Sequence, residues 1–165
     1  MLAPYDHLDP SSRVWIYQAA QLLTETQVEA IRAELTNFLD QWTAHNRQLY
    51  TWGDVMYRRF VVIMADERYA GASGCSIDKS VHFIEHLEKK HHLSLLSRTG
   101  VAYLTHEGPA GDDIKTCELD DLRRLAGAGV INNDTLVFDN LVKTKEDFDT
   151  RWRKPLAESW HRKFV

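Results

Sequence analysis

Between residues 13 and 104, stretches with the two-residue alternation of a strand and stretches with the 3.6-residue period of a helix follow one another. That order limits the chain to a mixed α and β architecture more firmly than any other feature. Arg13-Val14-Trp15-Ile16-Tyr17-Gln18 is rich in branched and aromatic side chains, which suit the pleated surface of a strand. Thr24, followed three residues later by Gln27, has the spacing of a capping box. Val28, Ile31, Leu35, Phe38, Leu39 and Trp42 then share one helical face, so the pattern predicts a helix from there to about residue 42. Residues 49–52 and 55–64 read as the arms of a hairpin turning at Gly53-Asp54, with Trp52 at its tip and Arg58-Arg59 inside the second strand. A glycine-rich turn at residues 71–74 leads into a second helix, from about Ser76 to His91, whose buried stripe is predicted to be Ile77, Val81, Ile84 and Leu87. Residues 101–104 read as another strand.

The order βαββαβ predicts an α+β fold of ferredoxin-like type, in which two helices cover one face of a four-stranded antiparallel sheet. Gly108-Pro109-Ala110-Gly111-Asp112-Asp113 is the strongest internal punctuation. It divides the chain into a core domain at residues 1–108 and a small α/β C-terminal subdomain at residues 112–165, packed on that core. The subdomain begins with a short helix over residues 118–125, stopped by Gly127 and Gly129. Strand-like Val130-Ile131 and Leu136-Val137-Phe138 follow. Thr144 with Asp147 starts another helix, and Pro155 restarts the last one, with Leu156, Trp160 and Phe164 at four-residue intervals.

The chain has 165 residues, 44% of them hydrophobic, enough for a core without covalent staples. A net charge of −4 argues against general nucleic-acid binding, although residues 151–165 are basic, with Arg151, Arg153, Lys154, Arg162 and Lys163 against Glu158. Two cysteines make no disulfide framework, and the first residues lack the basic flank and apolar run of a leader, so the expected compartment is the cytoplasm. No apolar run approaches the roughly 20 residues that span a bilayer, which excludes membrane insertion.

Chemistry concentrates in residues 71–80. A flexible turn feeding a helix start leaves backbone N–H groups aimed outward, and these hold anions and favour a thiolate. Gly71, Ser73, Gly74, Ser76 and Lys79 are therefore the candidate ligand-binding residues, and Cys75 is the candidate nucleophile. The competing reading of Cys75 is a small buried packing residue. On a helical wheel Cys75, Lys79, His82 and His86 lie together, opposite Ile77, Val81 and Ile84, but His82 sits roughly 10 Å along the axis from Cys75, too far to take its proton. His82-Phe83-Ile84-Glu85-His86 matches the form His-x-x-Glu-His of a zinc site, with no third ligand in view and its histidines on the polar face; a solvated helix face accounts for it. Trp52, Arg58, Trp152, Trp160 and His161 complete a candidate interaction surface, while the tryptophans in general read as packing residues.

Gly74-Cys75-Ser76-Ile77-Asp78-Lys79-Ser80-Val81, together with Trp160-His161, resembles a small family of uncharacterised bacterial proteins, some labelled ABC transporter ATPases. The resemblance implies no activity, and the label conflicts with the residues. A phosphate loop requires glycine immediately before Lys-Ser, whereas Asp78 precedes Lys79-Ser80. Glu118-Leu119, Leu122, Gly129-Val130-Ile131, Thr135-Leu136-Val137 and Trp152 resemble GYF-like interaction domains, which implies a module that binds extended segments through aromatic surfaces. The opening tryptophan and Gly-Pro pair of those domains have no counterpart around Ala102-Tyr103 and Thr116-Cys117.

These readings converge on a small cytoplasmic binding or adaptor protein that recognises a protein segment or a small anionic ligand at residues 71–80. The alternative is a thiol-dependent enzyme using Cys75. The sequence assigns no cofactor and no metal.

Overall fold

A computed structural model describes residues 1–108 and 111–165. The chain is α+β with antiparallel sheets, and it divides into two compact units. One comprises Met1–Leu96 with Leu141–Asp149, the other Ser97–Asn140 with Thr150–Val165.

In the first unit β1 (Arg13–Gln18), β4 (Tyr50–Met56) and β5 (Phe60–Asp66) form a sheet in the order β1-β5-β4. β5 is central and every one of its residues is buried. Helices α1 (Glu25–Gln41) and α2 (Gly74–His91) share a core with the alternate residues Val61, Ile63 and Ala65 of β5 and with Val55 of β4. α1 begins where its sequence predicts. The Thr24 hydroxyl accepts from the Gln27 amide at 3.1 Å and the Gln27 side chain accepts from the Thr24 amide at 2.9 Å. Its buried stripe is Val28, Ile31, Leu35 and Leu39, and Trp42 is buried just beyond its end. Fully burying each such aliphatic side chain stabilises the fold by about 1.5–3 kcal/mol.

The hairpin turns later than its glycine suggests. Gly53 lies inside β4, opposite Ile63, and the turn is made by residues 57–59. A Cβ at Gly53 would lie 2.6 Å from Leu39 Cδ1 and 2.9 Å from the Val62 carbonyl oxygen, so this glycine permits close approach of α1 to the sheet. Tyr57 and Arg58 instead take the left-handed conformation, with φ of 54° each. The tip is held to residues 19–23: the Ala19 amide donates to the Arg59 carbonyl at 2.6 Å, the Leu23 amide donates to the Arg58 carbonyl at 2.8 Å, and the Arg58 guanidinium donates back to the Leu23 carbonyl at 2.8 Å. A second small hairpin, β2 (Thr43–Ala44) and β3 (Arg47–Gln48), turns at His45-Asn46, both at positive φ.

The fourth strand of the predicted sheet joins a different one. β6 (Gly100–Gly108) lies between β7 (Gly111–Glu118) and β8 (Leu136–Phe138), with β9 (Arg153–Pro155) beyond, in the order β7-β6-β8-β9. The stretch read as a domain boundary thus joins paired strands, with Gly108 opposite Gly111. Pro109 and Ala110 within it lie outside the described residues. The core of this second unit collects Val101, Tyr103, Leu122, Ile131, Val137 and Leu156.

Here α3 (Leu122–Gly127) ends as its glycines predict: Gly129 has φ 73°, its amide donates to the Ala126 carbonyl, and the Val130 amide donates to the Leu125 carbonyl. Val130-Ile131 is not a strand. Thr144 caps α4 (Lys145–Arg151), its hydroxyl accepting from the Asp147 amide at 3.2 Å. The predicted last helix is replaced by β9 and two short 3₁₀ turns, Leu156–Glu158 and Trp160–Phe164. Pro155 pairs with Leu136 in β9, so its segment is already committed to the sheet.

Candidate functional site

The start of α2 is a capping box made of two serines. The Ser73 hydroxyl accepts from the Ser76 amide at 3.1 Å, and the Ser76 hydroxyl lies 2.6 Å from the Ser73 amide and 2.8 Å from its carbonyl oxygen. Ser76 therefore faces inward and is buried. Its carbonyl accepts from the Trp42 indole at 2.8 Å, so the helix start sits on that ring. This contact turns the buried stripe of α2 to Ser76, Ser80, Ile84 and Leu87, leaving Ile77 and Val81 only half-buried. The Ser80 hydroxyl is satisfied by the Ile77 carbonyl at 2.6 Å.

Of the predicted ligand-binding residues, Ser73 and Ser76 thus spend their hydroxyls on each other's backbone. Gly71, Gly74, Cys75 and Lys79 are exposed. Among the described residues no acceptor engages the amides of Gly74 and Cys75, so the two outermost donors of an 18-residue helix face solvent. A Cβ on Gly71 would approach the Glu67 carboxylate at 3.2 Å, an unfavourable neighbour for an anion, which narrows the candidate ligand-binding residues to Gly74, Cys75 and Lys79.

The exposed Cys75 is not the packing residue of the alternative reading, and no hydrogen bond among the described residues reaches its sulfur. Cys117 differs: burial, with Asp121 and Glu118 nearby, pushes its thiol up to about 11.

The histidines of α2 serve α1. Glu34 receives Lys90 at 2.7 Å, His91 at 2.8 Å and His86 at 3.3 Å. Burial alone would raise the Glu34 carboxyl, but these hydrogen bonds outweigh it and hold it at about 2. His82 is exposed, and among the described residues no group of three or more His, Cys, Asp or Glu is arranged to hold a metal ion.

Of the predicted interaction residues, Trp52 and Arg58 belong to the first unit and Trp152, Trp160 and His161 to the second. Trp52 is half-buried within β4, against Tyr5, rather than at a hairpin tip. Arg58 is exposed in the turn. Trp152 and His161 are buried, because both belong to a polar cluster that sequence reasoning missed. In that cluster Asp139 accepts from Lys154 Nζ at 2.7 Å and from the Trp160 indole at 3.1 Å. The Trp152 indole donates to Asn140 Oδ1 at 3.0 Å. The Ser159 hydroxyl lies 2.5 Å from His161 Nδ1.

Burial pushes His161 down to about 4, so its ring is neutral at pH 7 and Nδ1 and the Ser159 hydroxyl share one hydrogen bond. Ser159 and His161 are each 2% exposed, so the pair fixes the end of the chain rather than meeting a substrate. The pairing of β8 with β9 sets Val137 opposite Lys154 and the Asp139 amide on the Trp152 carbonyl, which leaves Asp139 diagonally beside Lys154.

The chain matches no family model, no curated protein and no solved structure. Among the described residues no helix is long and apolar enough to cross a membrane.

Proposed function

We propose that this is a small cytoplasmic binding protein whose ligand is a compact anion, such as a phosphate group, held at the exposed start of α2. The observation that supports this reading is the pair of outward amides at Gly74 and Cys75, which have no acceptor among the described residues, on a long helix with Lys79 one turn on. Two N–H donors, the positive end of the helix dipole and one ammonium supply directional and electrostatic recognition without a preformed cage. Binding at so open a place is weak and falls with ionic strength.

Titration of ¹⁵N-labelled protein with inorganic phosphate at low salt tests it. The Gly74 and Cys75 amides shift saturably, and Lys79→Gln weakens the response several-fold. Amides that stay unmoved to tens of millimolar would defeat the proposal. A second reading, thiol chemistry at Cys75, is favoured by the exposure of that sulfur in the first turn of the helix.

A further inference from the structure

Four aromatic side chains form a row along β4. Tyr50 and Trp52, two residues apart, project from the same face of the strand. Tyr69 meets Tyr50 edge-on, with ring centroids 5.6 Å apart and planes at 76°, and Tyr5 meets Trp52 at 4.7 Å and 67°. All four lie in the first unit. Tyr69 is 64% exposed and the other three are half-buried. Edge-to-face pairs present notches between rings, not one flat plate.

The row also displays unused donors. The indoles of Trp42, Trp152 and Trp160 all donate to protein acceptors, and the Tyr5 hydroxyl donates to Asp149. Among the described residues no acceptor engages the Trp52 indole or the hydroxyls of Tyr50 and Tyr69.

A ligand here is read by side chains, because the edge of β4 is largely closed to strand addition. Thr51 exchanges backbone hydrogen bonds with Met1 and Ala3. The Val55 amide donates to the Asp54 carboxylate and the Val55 carbonyl accepts from Arg32. The first unit holds 15 carboxylate side chains against 11 lysines and arginines, the whole of the net charge of −4. The cations over the row are already balanced, Arg68 by Asp66 and Asp9, and Lys145 by Asp149.

From these observations we infer that the row docks a proline-rich segment of a partner protein, flanked by basic residues. A polyproline II chain has no internal hydrogen bonds, so its carbonyls are acceptors for indole and phenol donors, and it is stiff enough to lose little entropy on docking. Its pyrrolidine rings fit notches between crossed aromatic rings. Its repeat of about 9 Å lets successive turns reach different rings of a row whose Tyr50-to-Trp52 step is roughly 7 Å and to which Tyr69 and Tyr5 add further rings. Basic flanks meet the acidic unit. Single-stranded nucleic acid also stacks on aromatic rings, but that same charge repels its phosphates.

The test is an NMR titration of the full chain with an arginine-flanked oligoproline peptide. The Trp52 indole N–H and the rings of Tyr50 and Tyr69 shift saturably. Tyr69→Ala, at an exposed position, raises Kd about tenfold with the melting temperature unchanged, and Tyr69→Phe raises it less. Lys79→Gln leaves the titration unaltered, which separates this surface from the start of α2. The inference is overturned if no saturable shift occurs, if an arginine-flanked Gly-Ser peptide binds equally well, or if an oligosaccharide or oligonucleotide binds the row where the proline peptide does not.

Discussion

Acidification below about pH 6.5 should destabilise this protein through His161. The ring is held neutral in the folded state near pKa 4 by burial, opposed by Asp139 and assisted by Lys154, whereas an unfolded histidine titrates near 6.5. The folded pKa is depressed, so the unfolded state binds the proton more tightly. The stability contribution is complete above pH 6.5 and is lost as pH falls from there towards 4. With those two values linkage predicts a loss of about 2 kcal/mol by pH 5 and about 3 kcal/mol at the limit, at about 1.36 kcal/mol per pH unit.

His161→Asn is the matched control, since its amide stands near the position of Nδ1, can accept from or donate to the Ser159 hydroxyl and does not titrate in this range. Urea unfolding of both proteins at half-unit steps from pH 8 to pH 4.5 measures the difference. The wild type should lose stability relative to His161→Asn with a midpoint slope near one proton. Parallel profiles for the two proteins, or an NMR titration of the His161 ring in the folded protein near 6.5, would refute the reasoning.

Gly53→Ala should destabilise by about 1–3 kcal/mol in urea unfolding, because the added methyl meets Leu39 and the Val62 carbonyl oxygen; a neutral result would mean that α1 shifts away at no cost. Ser12→Ala should be neutral or stabilise by about 1 kcal/mol, since the Ser12 hydroxyl is buried without a hydrogen-bond partner among the described residues; marked destabilisation in a thermal melt would reveal a partner. Brief iodoacetamide treatment at neutral pH should modify Cys75 well before Cys117, whose thiol is raised to about 11, with the gap closing in denaturant. Equal labelling in the folded protein, read by mass spectrometry, would count against that order and against thiol chemistry at Cys75.

What sequence alone determined are the features whose causes are local. β1 has the predicted limits, the Thr24 capping box opens α1, and Gly129 in the left-handed region closes α3, because each depends on residues within one turn or one strand. The exposed polar face of α2, with Cys75, Lys79, His82 and His86, follows from helical geometry alone. Tertiary structure decided the rest. Gly53 looks like a turn residue until α1 is laid across it, and Tyr57-Arg58 turn the chain against their own preference because residues 19–23 hold that tip. Ser76 is turned inward by the indole of Trp42, 34 positions away. β6 pairs with β7 across the connection between Gly108 and Gly111, a local event, but it also pairs with β8, setting Tyr103 opposite Val137, which no local pattern encodes. The cluster of Asp139, Lys154, Ser159, Trp160 and His161 assembles only when β8 and β9 pair, which buries Lys154 against Asp139 while Arg151, Arg153, Arg162 and Lys163 stay exposed. Hydrogen bonds between residues far apart in the chain leave no period and no spacing in the sequence, and only the packed structure brings them together.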